Sequence, residues 1–444
     1  MLEKIKKPIF AIPMSFIIVI LTGSLLLSLP AASESGKATP FVDSFFTATS
    51  ATCVTGLLVV DTADYWSLFG ELVILGMIQI GGFGLVTLLI YIMSLRGHKT
   101  NLQSMMLARG SVNGLNMQET FPLIRKIFNF VLVTESIGAL FLSFFFIFDQ
   151  KMPFFKGLYY GIFYSVSAFC SAGFDLSGRF SSLYGFGQSP FFLFSISTLV
   201  ILGGFGFIIW QDMLEYRKTR RMMVHTRLVL LLTAAFIIAG TLFIYVVEHN
   251  QALLPYTGWN KLLNAFFLSV NTRSAGFATF DVNTLQSTTK VFLSFLMLIG
   301  GASGSTAGGI KINTFGIIIV TIISVVRSNN EVILFKKVVS YSTIMKAFCI
   351  AIMAILLVFS VTLFLNLIHP EWSLVNILFE VSSSFGTAGL STGIPPLMGI
   401  HGKILLTLTM LAGRIGAITF ILMLENRQNK QDTTFYPDGK FIVG

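Results

Sequence analysis

The sequence predicts an all-α integral membrane protein. It is expected to fold as four tandem span, pore helix, filter loop, span repeats around one pseudo-fourfold pore, with eight transmembrane helices and four re-entrant pore helices. Three observations carry this prediction. The 444 residues are 54% hydrophobic and 11% charged, with mean hydropathy +0.80, far from the roughly quarter-charged make-up of a soluble domain. Apolar runs of about twenty residues, enough to cross a hydrocarbon layer about 30 Å thick, recur along the chain. A Ser/Thr-rich, glycine-ending pattern is written four times between them.

The apolar runs fall at residues 9–29, 72–95, 128–148, 191–210, 228–247, 344–368 and 404–424, and an eighth, 291–326, is interrupted. The N-terminus, MLEKIKKP followed by an apolar run and LPAAS, imitates a secretory signal, but the run is too long for one and reads as the first span. Charge sets orientation. Twenty of the thirty Lys and Arg lie in stretches 4–7, 96–126, 217–227, 327–346 and 427–440, alternating with loops that hold only eight, while Lys311 and Arg414 sit inside spans. The basic stretches are therefore expected on the cytoplasmic side of a cell membrane, both termini included. The net charge of +10 is then a topology signal and no sign of nucleic acid. The opposite loops carry Asp43, Asp61, Asp64, Asp149, Asp175 and Asp281, which read either as an acidic face gathering cations or as solvated loop charges. Cys53, Cys170 and Cys349 form no CxxC pair, so neither a disulfide framework nor structural zinc has support, and inert buried thiols are expected.

The repeat organises the rest. Residues 45–57 read FFTATSATCVTGL, 162–174 IFYSVSAFCSAGF, 265–277 AFFLSVNTRSAGF and 378–390 LFEVSSSFGTAGL, with Gly56, Gly173, Gly276 and Gly389 in register. A second echo follows each: IGGFG at 80–84, LGGFG at 202–206, IGGAS at 299–303 and LAGRIG at 411–416. The segments before the glycines, 40–51, 156–169, 260–271 and 373–384, are too short to cross but suit half-membrane helices. They are expected to re-enter. Non-helical backbone at membrane depth survives only where protein buries it or water reaches it, so the four strings should meet on one aqueous axis. The units run 1–96, 97–216, 217–327 (with a loop at about 301–314) and 328–426, leaving a cytoplasmic tail 427–444.

Extended strings with small side chains can turn carbonyl oxygens inward, and rings of such oxygens replace the water shell of an alkali cation. Glycine supplies the φ freedom this needs. The expected ligands are backbone oxygens of Thr52, Cys53, Val54, Thr55 and Gly56; Phe169, Cys170, Ser171, Ala172 and Gly173; Thr272, Arg273, Ser274, Ala275 and Gly276; and Phe385, Gly386, Thr387, Ala388 and Gly389. Cys53, Cys170, Arg273 and Gly386 share one column, and such different side chains cannot all line one cation path, so the backbone is the common element. The short helices would aim their C-terminal ends, each about half a negative charge, toward the path.

Four span-pore-span units, single-glycine strings ending in TG or AG, and a Gly/Ser-rich interruption of the third unit resemble the Trk/Ktr/HKT potassium transporter superfamily over nearly the whole chain. The short length, without extra N-terminal spans, is similar to the KtrB-type membrane subunits of the Ktr branch. The resemblance implies potassium uptake through a channel-like pore, with potassium ion bound at the strings, and sodium dependence that the branch alone implies. It also implies a homodimer in membrane lipid and a cytoplasmic KtrA-type RCK partner that binds nucleotide, ATP or ADP, as a ring. No nucleotide is expected on this chain. The strings lack the TVGYG of tetrameric potassium channels, whose second glycine helps successive carbonyls face inward, so fewer ordered rings are expected.

Residues 300–309, GGASGSTAGG, fall near mid-membrane, where each glycine costs a helix about 1 kcal/mol relative to alanine. Gly304, Ser305, Thr306, Ala307, Gly308 and Gly309 read as a flexible loop that obstructs the pore when closed, resembling the intramembrane gate of the family, or as a seam of close helix packing. A phosphate loop is excluded, because GxxxxGK[ST] is absent. Arg414 takes the echo position held by Phe83, Phe205 and Ala302; a charge there costs at least about 2.5 kcal/mol and must face water or a partner. The resemblance makes it a positive barrier or an anchor for loop carbonyls beside the gate, against a structural charge paired with helix backbone. Arg273 should point away from the axis, with Glu380 as its ion-pair partner. Glu135 reads as a proton or sodium site or as a buried hydrogen-bonded acid, and Gln79 as structural. The tail is either disordered or a docking tail. The alternative function is a cation secondary transporter working by rocking of two halves, against which four like-oriented units argue. No enzyme is expected, since HExxH, GxSxG and histidine clusters are absent.

Overall fold

A computed structural model describes residues 8–84, 120–329 and 331–416. The predicted cytoplasmic stretch 4–7, residues 85–119 and the tail 427–444 lie outside the described residues. Four times the chain makes an apolar helix, a short helix ending at a string, and a second apolar helix. The first unit comprises α1 (Pro8–Leu27), α2 (Phe41–Cys53) and α3 (Leu68–Phe83). The second has α4 (Thr120–Phe144), running into a π-helical turn Phe145–Asp149, then α5 (Phe154–Phe169), α6 (Pro190–Gly204) and α7 (Phe207–Thr219). The third has α8 (Val224–Glu248), α9 (Trp259–Asn271), α10 (Ser287–Leu298) and α11 (Ile312–Val326). The fourth has α12 (Tyr341–Ile368), α13 (Leu374–Gly386) and α14 (Ile400–Ile415). Among the described residues the strands are confined to a small hairpin pairing Ile333–Leu334 with Lys337–Val338.

The short helices start where local chemistry can start them. Ser373 accepts from Asn376 N at the head of α13, and Asp43 sits in the first turn of α2, where the positive helix end favours it. At 13, 16, 13 and 13 residues, α2, α5, α9 and α13 are shorter than the roughly 20 residues a crossing needs. They are also the most buried helices, with Phe379 through Gly386 entirely inside.

The second helices depart from the prediction. Among the described residues, three helices are long and apolar enough to cross alone: Arg125–Asp149, Val224–Glu248 and Tyr341–Ile368, each the first of its unit. The second helix of every unit stops at the second glycine echo, whereas the sequence marked an interruption only in the third. α6 and α7 meet at 95°, α10 and α11 are parted by a loop, and α3 and α14 end at Phe83 and Ile415. The cause is backbone conformation: Gly84, Gly206 and Gly416 adopt φ of 78°, 79° and 89°, which no residue with a Cβ takes readily.

Packing repeats with the sequence. In the first, second and fourth units the short helix packs on both apolar helices of its unit, whereas α9 packs on α8 alone of its own unit's helices; each second helix also packs on the short helix of the next unit: α3 on α5, α6 on α9, α10 on α13 and α14 back on α2. The units form a closed ring. Phe46, Phe163, Phe267 and Phe379 fill the space behind the four short helices at 0% exposure. Leu140, Val246 and Leu367 stand outward, fully apolar where a soluble protein would be polar. Cys53 and Cys170 are buried as expected, but Cys349 is exposed on the outer side of α12, so its burial was wrongly expected.

Candidate cation site

The four strings share one backbone course. Two residues before each glycine the chain turns left-handed, at Val54 (φ 57°), Ser171 (61°), Ser274 (87°) and Thr387 (46°), and Gly56, Gly173, Gly276 and Gly389 follow at 86°, 70°, 75° and 80°. A left-handed turn at a residue with a Cβ costs about 1 kcal/mol or more, and surrounding contacts must hold it. In three strings the amide before the glycine bonds back to the short helix: Thr55 N to Ser50 O at 2.8 Å, Ala172 N to Ser167 O at 2.7 Å and Ala388 N to Ser383 O at 2.8 Å. The third string differs, with Ala275 N and Gly276 N both donating to Asn271 O.

The strings meet. A methyl group on Gly56 would lie 2.5 Å from Ala172 O, one on Gly173 2.7 Å from Ala275 O, and one on Gly276 2.8 Å from Ala388 O. One on Gly389 would strike Thr55 O. This cycle visits every string once and returns to the first, so the glycine carbonyl neighbours of all four surround one axis. No side chain fits there. Outside the ring a cavity of about 340 Å³ is lined by the four glycines together with Asp175, Tyr184, Asp281, Asn283 and Ser391.

The predicted acidic face is divided in use. Asp175 and Asp281 line the outer cavity. Burial pushes the Asp175 carboxyl up to about 6, the Ser177 amide opposing and Asp61 adding to the rise. Asp61 instead caps a helical turn through Ala63 N and Asp64 N and accepts from Phe180 N at 2.6 Å. Asp64 accepts from Arg179 N at 2.8 Å, Asp43 pairs with Lys403 at 2.6 Å, and Asp149 bonds Gln150 at the surface.

Inside the ring, residues 299–311 fill the space beneath the strings. Ile299 and Ile310 bridge in parallel, so the loop leaves α10 and returns beside its own start. Its tip is held on several sides. Thr306 Oγ1 lies 3.3 Å from Gly203 O, 3.4 Å from Phe169 O and 3.5 Å from Ser171 Oγ. Gly308 N donates to Thr387 Oγ1 at 3.0 Å and to Ser274 Oγ at 3.3 Å, and Gly309 N to Gly413 O at 3.2 Å. Gly304 and Gly309 take φ of 77° and 69°, and a side chain at Gly308 would meet Thr387. Ala307 is fully buried, and Ser305 Oγ is buried with no hydrogen-bond partner.

Two cations hold the loop carbonyls. The Arg414 guanidinium donates to Thr306 O and Gly81 O and lies 5.9 Å from the Phe16 ring, while Lys311 Nζ donates to Ala307 O. Sequence reasoning placed Lys311 only within a span; its position just past the last glycine of the loop was the available signal. The register of Arg414 needs correcting by one residue. Gly81, Gly203 and Gly413 each press against the carbonyl four residues before a string glycine, at Thr52, Phe169 and Phe385. Arg414 therefore matches Gly82 and Gly204, not Phe83 and Phe205.

Arg273 points away from the axis, lining a small cavity with Val200, Phe205, Thr233 and Gly301, but it does not pair with Glu380. Neither side chain belongs to the ion pairs His369–Glu371 or Lys403–Asp43. Glu380 Oε1 is taken instead by Thr392 N at 2.5 Å, Ser391 Oγ at 2.8 Å and Thr392 Oγ1 at 2.8 Å, which ties down the loop after the fourth string. Its helix presents it to its own string's exit, out of reach of the neighbouring arginine. Glu135 is a buried hydrogen-bonded acid, and Gln79, read as structural, is its partner at 2.9 Å.

The profile of the TrkH family, described as cation transport protein, matches residues 3–432. The chain belongs to this family. It is 34% identical to the potassium/sodium uptake protein NtpJ of Enterococcus hirae over 442 residues, covering 98% of this chain and 97% of that one. It is also 34% identical to the Ktr system potassium uptake protein B of Bacillus subtilis over 431 residues, covering 97% and 95%. The crystal structure of the potassium transporter TrkH from Vibrio parahaemolyticus superposes with a TM-score of 0.69 at 17% identity, over 93% of this chain and 85% of that one, a likeness of fold. As a TrkH-family member rich in apolar helices, the chain is a multi-pass membrane protein.

Proposed function

We propose that this chain takes up potassium through a channel-like pore whose filter is the four-string ring. The carrying observation is the closed cycle of string contacts, in which each glycine abuts a carbonyl-bearing neighbour and leaves backbone oxygen as the shared lining. The relatives named for potassium uptake support the choice of ion, and the one named for potassium and sodium supports sodium as a second ion. In this reading the repeats are 1–96, 97–216, 217–327 and 328–426, each with two membrane-crossing segments and one re-entrant pore helix. α2, α5, α9 and α13 aim their carbonyl ends at the cation path. The backbone oxygens of Thr52 to Gly56, Phe169 to Gly173, Thr272 to Gly276 and Phe385 to Gly389 replace the ion's water.

The loop Gly304, Ser305, Thr306, Ala307, Gly308 and Gly309 is the gate, held across the path by Arg414. Basic stretches face the cytoplasm, both termini included, in the cytoplasmic membrane. A cytoplasmic RCK-type partner binding ATP or ADP moves the gate, and two copies of the chain pair; the Ktr system name of a relative supports a partner component. The decisive experiment is radioactive rubidium uptake into vesicles holding the purified chain, competed by potassium, sodium and choline. Gly276→Val and Gly389→Val should lower uptake or admit sodium, and unchanged selectivity in both removes the filter reading.

A further inference from the structure

Behind the second string lies a buried polar cluster that the transport reading does not use. Cys170 Sγ lies 3.7 Å from Glu135 Oε1 and 3.8 Å from Gln79 Oε1, and Gln79 Nε2 donates to Glu135 Oε2 at 2.9 Å. The cluster joins three elements from two units: α3 of the first, α4 of the second, and the string that follows α5. Ser165 Oγ donates to Glu135 O at 2.7 Å, fixing α4 to α5 directly beside it. There is no slack around the thiol, since a methyl group on Gly82 would come 2.7 Å from Cys170 Sγ.

The same string also touches the loop, through Ser171 Oγ and Phe169 O against Thr306 Oγ1. Residues 169–171 are thus held at two points, by Glu135 through Cys170 Sγ and by Thr306 through Phe169 O and Ser171 Oγ. The equivalent position in the other strings is Cys53, Arg273 or Gly386, and none of these makes such a bond among the described residues. Both Glu135 oxygens accept hydrogen bonds from the cluster itself, and the residue is 6% exposed. A geometric role is what the contacts leave for it.

We propose that Glu135 and Gln79 are positioning residues for the second filter string: by holding Cys170 they set where the Phe169, Cys170 and Ser171 carbonyls stand relative to the axis, and so tune discrimination between potassium and sodium. The inference rests on the filter reading above. Losing the grip frees a left-handed turn that Ser171 adopts only under constraint, and the string relaxes.

The test uses the full chain in vesicles and reads the ratio of rubidium to sodium uptake. Glu135→Ala and Cys170→Ala should each lower the ratio about three- to tenfold, the scale of one buried hydrogen bond. The double variant should be no worse than either alone, because both remove one contact. Glu135→Gln, which can still bond Gln79 and Cys170, should stay within about threefold of the parent. An unchanged ratio in both alanine variants, or additive losses in the double variant, overturns the proposal. If Glu135→Ala fails to fold, Cys170→Ala and Gln79→Ala carry the test on the same ratio. Gly389→Val separates the two readings: if it leaves the ratio intact the filter assignment falls, whereas if it collapses the ratio and the cluster variants do not, only the positioning role falls.

Discussion

Arg414 stands where two sister units have Gly82 and Gly204, and its side chain reaches beneath the ring to the loop. Its bonds to Thr306 O and Gly81 O fasten the loop to the first unit. Hydrogen bonds from a charged donor are worth about 1.5–3 kcal/mol each, so Arg414→Ala should raise rubidium flux through the isolated chain by about tenfold or more. Flux equal to the parent's would show that the arginine does not hold the path shut. The presence of a charge in an apolar run was legible; its register was not. LAGRIG is one residue longer than IGGFG, so two alignments can be written, and only the contacts of Gly413 and the positive φ of Gly416 choose between them. The missing Arg273–Glu380 pair has a related cause, because spacing does not say which way around the ring a side chain reaches. Asp175 gives the pH test. Its folded carboxyl is raised to about 6 from 3.8, so burial makes the ionised form a cost that grows as pH rises through that window, and the acid-side state is the more stable. The charge at the cavity is present above about 6 and lost as external pH falls through it. Cation uptake at low concentration should therefore fall a few-fold between external pH 7.5 and 5, following the lost attraction, and Asp175→Asn should flatten that profile.

At the scale of elements, the short helices were readable because length and hydroxyl content agree: 13 to 16 residues cannot cross, and Ser/Thr near a glycine marks their ends. The breaks in the second helices were less so. IGGFG and LGGFG are apolar enough to pass as continuous helix, and only the third echo, with ten small residues, announced itself. What turns the chain at the others is one glycine of positive φ, and a single glycine inside an apolar run is a weak signal. The same small residues let the loop fit: Gly300 lies against Gly308 O and Gly308 against Thr387, so any side chain would push the loop from beneath the strings. Deleting residues 304–309 should therefore raise rubidium flux in the absence of any cytoplasmic partner. Thr306→Val, which removes the contacts to Gly203 O and Phe169 O while keeping the shape, should raise it less, by about three- to tenfold for the scale of one buried hydrogen bond. Low flux in both variants would leave the loop a packing seam.

For the whole molecule the repeat written in the sequence predicts a ring but cannot say how the ends close. Closure is a contact between the first and fourth units, far apart in sequence. Two observations make it: α14 packs on α2, and Lys403 Nζ reaches Asp43 Oδ1 at 2.6 Å across the seam. Their pairing was not legible beforehand, since Lys403 read as an ordinary loop charge and Asp43 either as part of the acidic face or as a solvated loop charge. The pair is partly exposed, with side chains at 15% and 20%, so solvent screens it and its worth is about 0.5–1 kcal/mol. Lys403→Met should accordingly lower the thermal midpoint of the detergent-solubilised protein by about 1 to 3 °C. Exchanging the two charges, Asp43→Lys with Lys403→Asp, should recover part of that loss, because the partners are tested against each other and not against their separate surroundings. If the ring were open at this seam, Lys403→Met would leave the midpoint unchanged and the exchange would be no better than the sum of its single variants. Because Gly389 meets the Thr55 carbonyl across the same two units, loosening the seam should also reduce the preference for rubidium over sodium, joining the stability of the ring to the geometry of its axis.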